Sequence, residues 1–184
     1  MRAGPRGRTP GWLPGARRVG SPNCDPRPPG EAVSLLVLHA ISLPRGAYGG
    51  EAIERLFTNR LDPAAHASFA ALAGLRVSAH FLVQRDGGLV QFVPLAARAW
   101  HAGASRWRGR ERCNDYSVGI ELEGTDDSPF EDAQYLRLAG LTRSLCALLP
   151  ISDIAAHSDI APQRKTDPGP HFDWPRLFSQ LARG

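Results

Sequence analysis

The sequence predicts a single α/β (α+β) domain, one mixed β-sheet flanked by helices, and three stretches carry that expectation. Ser34, Leu35, Leu36, Val37, Leu38 and His39 form an apolar run ending in histidine, the pattern of a central strand buried on both faces. Residues 79–84 and 89–93 flank Arg85, Asp86, Gly87 and Gly88, and Asp-Gly between two β-rich segments signals a hairpin. Residues 133–149 set Leu138, Leu141, Leu145, Leu148 and Leu149 at helical spacing. A chain of 184 residues fits one domain with a sizeable core, and 42% apolar with 22% charged residues is ordinary for a globular protein.

The remaining elements follow from local signals. Residues 1–31, rich in proline and glycine, read as a largely irregular arm wrapping over a domain that spans 32–184. Residues 42–50 are polar and glycine-rich, hence a loop. Short helices are expected over 51–57 and 64–75, with Asp62 and Pro63 as cap and first helical residue of the second. Residues 117–123 alternate small or polar with apolar residues, as a strand with two different faces does. Residues 154–157 suggest a short last strand, and Asp173 caps a terminal helix.

Charge and cysteine content exclude several function classes. The formal charge is +4, and Arg2, Arg6, Arg8, Arg17, Arg18 and Arg27 concentrate it in the arm. No interleaving of aromatic with basic residues follows, so the arm reads as a solvated tail and no nucleic-acid partner is expected. Cys24, Cys113 and Cys146 form neither a disulfide framework nor a CxxC pair, which suggests reduced thiols. Residues 1–30 lack the apolar core of a secretory signal, and no apolar run approaches the ~18 residues of a membrane span. A cytoplasmic protein without a membrane partner is expected.

The chemistry gathers in two places, His39 at the end of the first apolar run and the proline-broken loop from His157 to Pro170. If the strands preceding His39 and His157 are neighbours, the two imidazoles sit side by side. Asp167 returns to them through a loop stiffened by Pro162, Pro168 and Pro170. Two histidines and a carboxylate give zinc three protein ligands and leave a fourth position for water. Glu121 is the candidate general base, and Lys165 can aim an ammonium at the developing oxyanion. Glu123 shares the face of Glu121, so a metal-free glycosidase pair about 7 Å apart is a rival. A solvent-facing polar stripe would explain both glutamates without chemistry. His80 and His101, near Trp100, are expected to pack or to support metal ligands, while His66 and His171 carry no supporting context. Cys113 reads as a buried thiol beside the site. Arg76, Arg110 and Arg112 can clamp ligand carboxylates or form surface ion pairs.

With these residues in hand, the chain resembles the AmpD family, 1,6-anhydro-N-acetylmuramyl-L-alanine amidases of the type 2 amidase, peptidoglycan-recognition-like fold. The motifs that carry the resemblance are His39 with Ile41, Ser42, Leu43 and Pro44; residues 75–80; Ala99, Trp100, His101, Ala102 and Gly103; residues 109–115; residues 119–125; and residues 157–170. The resemblance implies hydrolysis of the amide between 1,6-anhydro-N-acetylmuramic acid and the L-alanine of the stem peptide. Such muropeptides arise in wall recycling, and clearing them implies indirect control of β-lactamase induction. It further implies one zinc ion on His39, His157 and Asp167, Glu121 as acid and base, Lys165 as stabiliser of the tetrahedral intermediate, and Arg76 and Arg112 on substrate carboxylates. The implied partner is a small-molecule muropeptide. One departure stands out: relatives commonly have asparagine after the first ligand, where this chain has Ala40. An alanine cannot hydrogen-bond substrate there.

Overall fold

In the computed structural model, which describes residues 11–183, the chain opens with two short strands, β1 (Arg17–Arg18) and β2 (Cys24–Pro26). They are followed by β3 (Leu35–Ile41), helix α1 (Ala52–Phe57), a 3-10 turn over Ala67–Leu72, β4 (Phe81–Val83), β5 (Leu89–Gln91) and β6 (Ala97–Ala99). A small ribbon of β7 (Arg106–Trp107) and β8 (Arg110–Glu111) precedes β9 (Ser117–Glu123), α2 (Asp132–Leu148), β10 (Asp153–Ala156), α3 (His157–Ile160) and α4 (Trp174–Ala182).

Six strands make one mixed sheet in the order β1-β5-β4-β9-β3-β10. The β4–β5 hairpin is antiparallel, while β4–β9, β9–β3 and β3–β10 are parallel. Parallel pairing buries both faces, and β9 is buried at all seven positions. One face, with Leu36, Leu38, Val118, Ile120 and Leu122, packs on α2 and α4. The opposite face packs Leu35 and Val37 against Ala102, Cys113, Tyr116 and Ile160, and Leu82 and Val90 against α1.

α2 begins where Gln134 Oε1 accepts the Glu131 N–H at 3.0 Å, and the Gln134 amide also donates to Val83 and Glu123 carbonyls. That single side chain caps the helix and ties it to two strands. Leu138, Leu141 and Leu145 fill the core as the spacing predicts, but Leu148 is exposed on the last turn while Leu149, beyond the helix, turns inward. At α4, Asp173 accepts the Arg176 N–H at 2.9 Å, the expected cap.

Residues 11–31 are bound closely to the rest of the domain. Leu13 belongs to the main core, and Gln91 holds the segment by accepting the Leu13 N–H and donating to the Gly11 carbonyl. Arg27 is no solvated tail residue: its guanidinium donates to the carbonyls of Leu95, Asn114, Asp115 and Ser117. Burial lowers its pKa to about 10. Arg2, Arg6 and Arg8 lie outside the described residues. No helix among the described residues is long and apolar enough to cross a membrane.

His80 fixes the crossing of β4 and β9. It is fully buried, its Nδ1 accepts the Gly119 N–H at 3.0 Å, and its Nε2 lies 3.2 Å from the Ala97 carbonyl and 3.0 Å from the Arg27 guanidinium. The ring is therefore neutral with its proton on Nε2. Burial, and secondarily the Arg27 charge, bring its pKa down to about 3. An unfolded histidine takes a proton near pH 6.5, so between those values the unfolded chain binds more protons and stability rises with pH. The contribution is complete above about pH 6.5 and lost toward pH 3, at most about 1.4 kcal/mol per pH unit. With a chelator present throughout, the urea midpoint is expected to fall on acidification. The gap between the wild-type chain and His80→Gln should narrow as it does. A gap that stays constant with pH would remove His80 from the acid response.

Candidate metal centre

The strand register assembles the site. Ala156 of β10 pairs with Leu38 of β3, which brings the next residues, His157 and His39, side by side. His39 is itself the register partner of Glu121 on β9, and Glu121 of Leu82 on β4. A row of polar side chains thus crosses the C-terminal end of the parallel strands, where open α/β sheets gather ligands. His39 is 2% exposed, His157 3% and Glu121 8%.

Asp167 closes the row from the loop. Its backbone carbonyl accepts the Ser158 N–H at 3.0 Å, and its Oδ2 lies 3.0 Å from His157 Nδ1 and 3.3 Å from His39 Nδ1. The two Nδ1 atoms are 2.8 Å apart. Among the described residues this is the one group of histidine, cysteine and carboxylate side chains able to hold a metal, with donor atoms within 4.8 Å of one another. His157 Nε2 faces the Ala102 carbonyl at 3.4 Å. A carbonyl only accepts, so it can hold the ring proton on Nε2 and leave the Nδ1 of His157 bare for a cation.

The electrostatics keep His39 and Asp167 in their ligand forms. Burial lowers His39 to about 4, against the opposing pull of Asp167, so its ring is neutral at neutral pH. Burial alone would raise the Asp167 carboxyl, but its close contacts with His157 and His39 hold it well below the ordinary carboxylate range. Glu121 is pushed well up by burial and then by the Asp167 charge, while Lys165 pulls it back. Its Oε2 is buried without a hydrogen-bond partner. Two imidazole nitrogens and a carboxylate oxygen aimed at one point, beside an orphaned carboxylate oxygen, are a donor set that suits a divalent cation and a water.

Beside this group an open cleft of about 350 Å³ is lined by Ala40, Ser42, Arg45, Thr125, Lys165 and Asp167. The rival glycosidase pair does not form. Glu123 is 3% exposed, and its two carboxylate oxygens accept the N–H groups of Gly49 (2.6 Å) and Arg85 (3.1 Å). It fastens two loops to the end of β9 and is not free for acid–base work, and neither glutamate lies on a solvent-facing stripe.

The structure does not draw every candidate to the cleft. Arg110 pairs with Glu31 and lies over the Tyr116 ring. Arg112, in a left-handed conformation with φ 59°, is exposed and bonds Asp115 at 3.0 Å. Arg76 is exposed on the turn before Ser78, by a hollow lined by Leu56, Asn59 and Leu72 rather than in the metal-side cleft. Cys113 is buried against the Tyr116 hydroxyl. His66 caps the 3-10 turn through Ser68.

Beyond the prolines of the aspartate loop itself, sequence reasoning named none of the groups that steady it. Thr166 Oγ1 donates to Asp126 Oδ2 at 2.6 Å, and Arg45 donates to both Asp126 and Asp127. Gly169 has φ 88°, and a Cβ there would overlap the Asp126 backbone. The adjacent Pro168–Gly169–Pro170 punctuation is the one sequence signal for this close approach.

Comparison with known proteins shows what the chain is similar to. A family described as N-acetylmuramoyl-L-alanine amidase matches residues 29–170. The 1,6-anhydro-N-acetylmuramyl-L-alanine amidase AmpD of Salmonella typhimurium (strain SL1344) is 59% identical over 174 residues, covering 94% of this chain and 93% of the relative. A crystal structure of a selenomethionine AmpD derivative superposes with a TM-score of 0.90 at 56% identity, covering 92% of this chain and 96% of that one. The Escherichia coli amidase AmiD, solved with anhydro-N-acetylmuramic acid-L-Ala-D-γ-Glu-L-Lys, superposes with a TM-score of 0.59 at 36% identity, covering 80% of this chain and 57% of that one.

Gly169→Ala tests the loop. The substitution meets both a left-handed backbone and the Asp126 contact, so a stability loss of about 1–3 kcal/mol is expected together with weaker metal binding. Calorimetry of the metal-free protein and metal titration read the two effects. Unchanged values in both would mean that Gly169 and Asp126 do not set the position of Asp167.

Proposed function

The chain belongs to the N-acetylmuramoyl-L-alanine amidase family, and within it we propose a zinc-dependent hydrolase of 1,6-anhydro-muropeptides. The bond cleaved is the amide between the lactyl group of 1,6-anhydro-N-acetylmuramic acid and L-alanine of the stem peptide, as in cell-wall recycling. The observation that carries the reading is the convergence of His39 Nδ1, His157 Nδ1 and Asp167 Oδ2 beside the unpartnered Glu121 Oε2. The AmpD relatives and the muropeptide in the AmiD complex support the choice of substrate.

His39, His157 and Asp167 would hold one zinc ion. When bound, zinc supplies Lewis acidity to the amide carbonyl and to the attacking water. Glu121, as carboxylate, accepts the proton that water gives up on attack and delivers it to the alanine nitrogen as the C–N bond breaks. The products are a lactyl carboxylate and a free amine. Lys165, on the wall of the cleft beside Asp167, donates to the oxygen on which negative charge develops. Exposed Arg76 and Arg112 are offered to carboxylates of the stem peptide, where Arg112 would exchange Asp115 for substrate. The reading is of a cytoplasmic enzyme acting on a small molecule, supported by the free thiols Cys24, Cys113 and Cys146.

Mass spectrometry of anhydro-muramyl tripeptide incubated with purified protein tests the reaction and the metal together. Peptide release should stop with chelator and return when zinc is restored. Binding without release would favour a recognition module, and release indifferent to chelator would end the zinc reading. Glu121→Ala should retain zinc and substrate binding while kcat falls about 10²–10⁴-fold. Lys165→Ala should lower kcat by about 10²-fold with little change in KM. An effect confined to KM would reassign Lys165 to substrate binding.

A further inference from the structure

We propose that His101 is a positioning residue of the metal centre: its Nδ1 receives the Nε2 proton of His39 and so keeps His39 Nδ1 bare and aimed at the metal. The inference rests on the zinc reading above but concerns residues that sequence analysis set aside as packing or support. His39 Nε2 lies 2.9 Å from His101 Nδ1, on the side of the ring away from His157 and Asp167. Its Nδ1 meets His157 Nδ1 and Asp167 Oδ2. A neutral imidazole carries one proton, and for Nδ1 to bind a cation that proton must be on Nε2. His101 Nδ1 is the atom there to accept it. The far nitrogen, His101 Nε2, then carries the proton of the second ring and donates to Ser117 Oγ at 3.1 Å. Each ring has one donor and one acceptor, and the chain of bonds Ser117–His101–His39 is complete without a charge.

The placement of His101 is built, not incidental. Its ring lies flat against β9 at Gly119, where a Cβ would come within 2.6 Å of the ring Nδ1, so only glycine lets the imidazole approach the strand. The rings of His39 and His101 meet edge to face with centroids 5.0 Å apart. Asn114 Oδ1 accepts both the His101 N–H (3.2 Å) and the Ala102 N–H (2.8 Å), which locks the backbone. The carbonyl of that same Ala102 faces His157 Nε2 and is also held by Arg164 at 3.1 Å. One dipeptide, His101-Ala102, therefore supplies the outer hydrogen-bond partner of each metal histidine, from the side chain of one residue and the backbone of the next. The first alone can be removed by substitution.

Zinc affinity measured by chelator competition tests the role directly, beside the melting temperature of the metal-free protein. His101→Phe keeps a ring of similar shape against Gly119 and loses the acceptor. It should bind zinc about 10–100-fold more weakly while the metal-free melting temperature changes little. His101→Gln, which restores a carbonyl acceptor, should recover part of the affinity. Ser117→Ala, a small change at the far end of the chain of bonds, should lose affinity in the same direction and to a smaller extent. Zinc affinity within twofold of wild type in His101→Phe and Ser117→Ala would overturn the proposal. So would an affinity loss matched by collapse of the metal-free fold with no recovery in His101→Gln, since that pattern belongs to packing alone. The wild-type titration in the same series separates the two readings. A wild-type chain that binds no zinc overturns the metal assignment itself, whereas wild-type binding with unaltered variants overturns only the part given to His101.

Discussion

The register of three parallel strands is the constraint on which the site depends. Pairing of β10 with β3 and of β3 with β9 puts His157, His39 and Glu121 in one row at the strand ends. A slip of one residue in β3 would turn His39 toward α2 and α4 and carry Leu38 into the site, because side chains alternate along a strand. The register is in turn held by apolar burial: Leu36 and Leu38 lie in the helix-covered core with Val118 and Ile120, and Leu35 and Val37 in the second layer. The hydrophobic pattern thus aligns polar groups that would not choose that alignment for themselves. Isolated, each would cost free energy to bury, by several kcal/mol for an unpaired charge.

Burial also sets the chemical state of the row. The same exclusion of water that lowers His39 and His101 keeps both rings as neutral donors and acceptors, which is the form a metal or a hydrogen-bonded partner requires. Asp167 escapes the opposite effect on carboxylates through its contacts with both histidines. Glu121, lacking such partners, does not. Two carboxylates of one site are therefore driven apart in proton affinity, the arrangement that lets one serve as fixed ligand and the other as proton carrier.

Much of this was legible in the amino-acid order, because periodicity reports burial. The run ending at His39 and the helix of residues 132–148 follow from apolar spacing, the hairpin from Asp-Gly turn chemistry, and Asp173 from helix-cap chemistry. Alternation in residues 117–123 was ambiguous for a physical reason: a polar stripe and a buried polar row have the same period of two. Only the neighbouring strand and the Gly49 and Arg85 amides distinguish them, and these come from distant positions. Arg27 escaped for a related reason. Its partners are backbone carbonyls, which every residue type provides, so sequence carries no mark of them. Leu148 was misjudged because the buried stripe passes from Leu145 to Leu149, just beyond the helix, and leaves Leu148 on the exposed side.

The charges of the proposed zinc-bound site give a last reason for its composition. A divalent cation with neutral His39 and His157 is balanced by the carboxylates of Asp167 and Glu121, which leaves the resting centre close to neutral and therefore tolerable in a buried row. Lys165 then stands at the wall of the cleft outside that balance, beside Arg164, whose guanidinium is taken up by the Ala102 and Ala104 carbonyls. An ammonium that has no anion to satisfy before reaction is free to meet the negative charge that appears only as the carbonyl is attacked, the condition for stabilising a transition state more than a ground state. A third histidine in place of Asp167 would leave the centre positive and hold Glu121 more firmly as a carboxylate, weakening its return of the proton to the leaving amine. A second carboxylate in place of His39 would leave it negative and draw Lys165 into a standing ion pair. Two imidazoles and one carboxylate are the ligand set that leaves both the glutamate and the lysine available for the reaction.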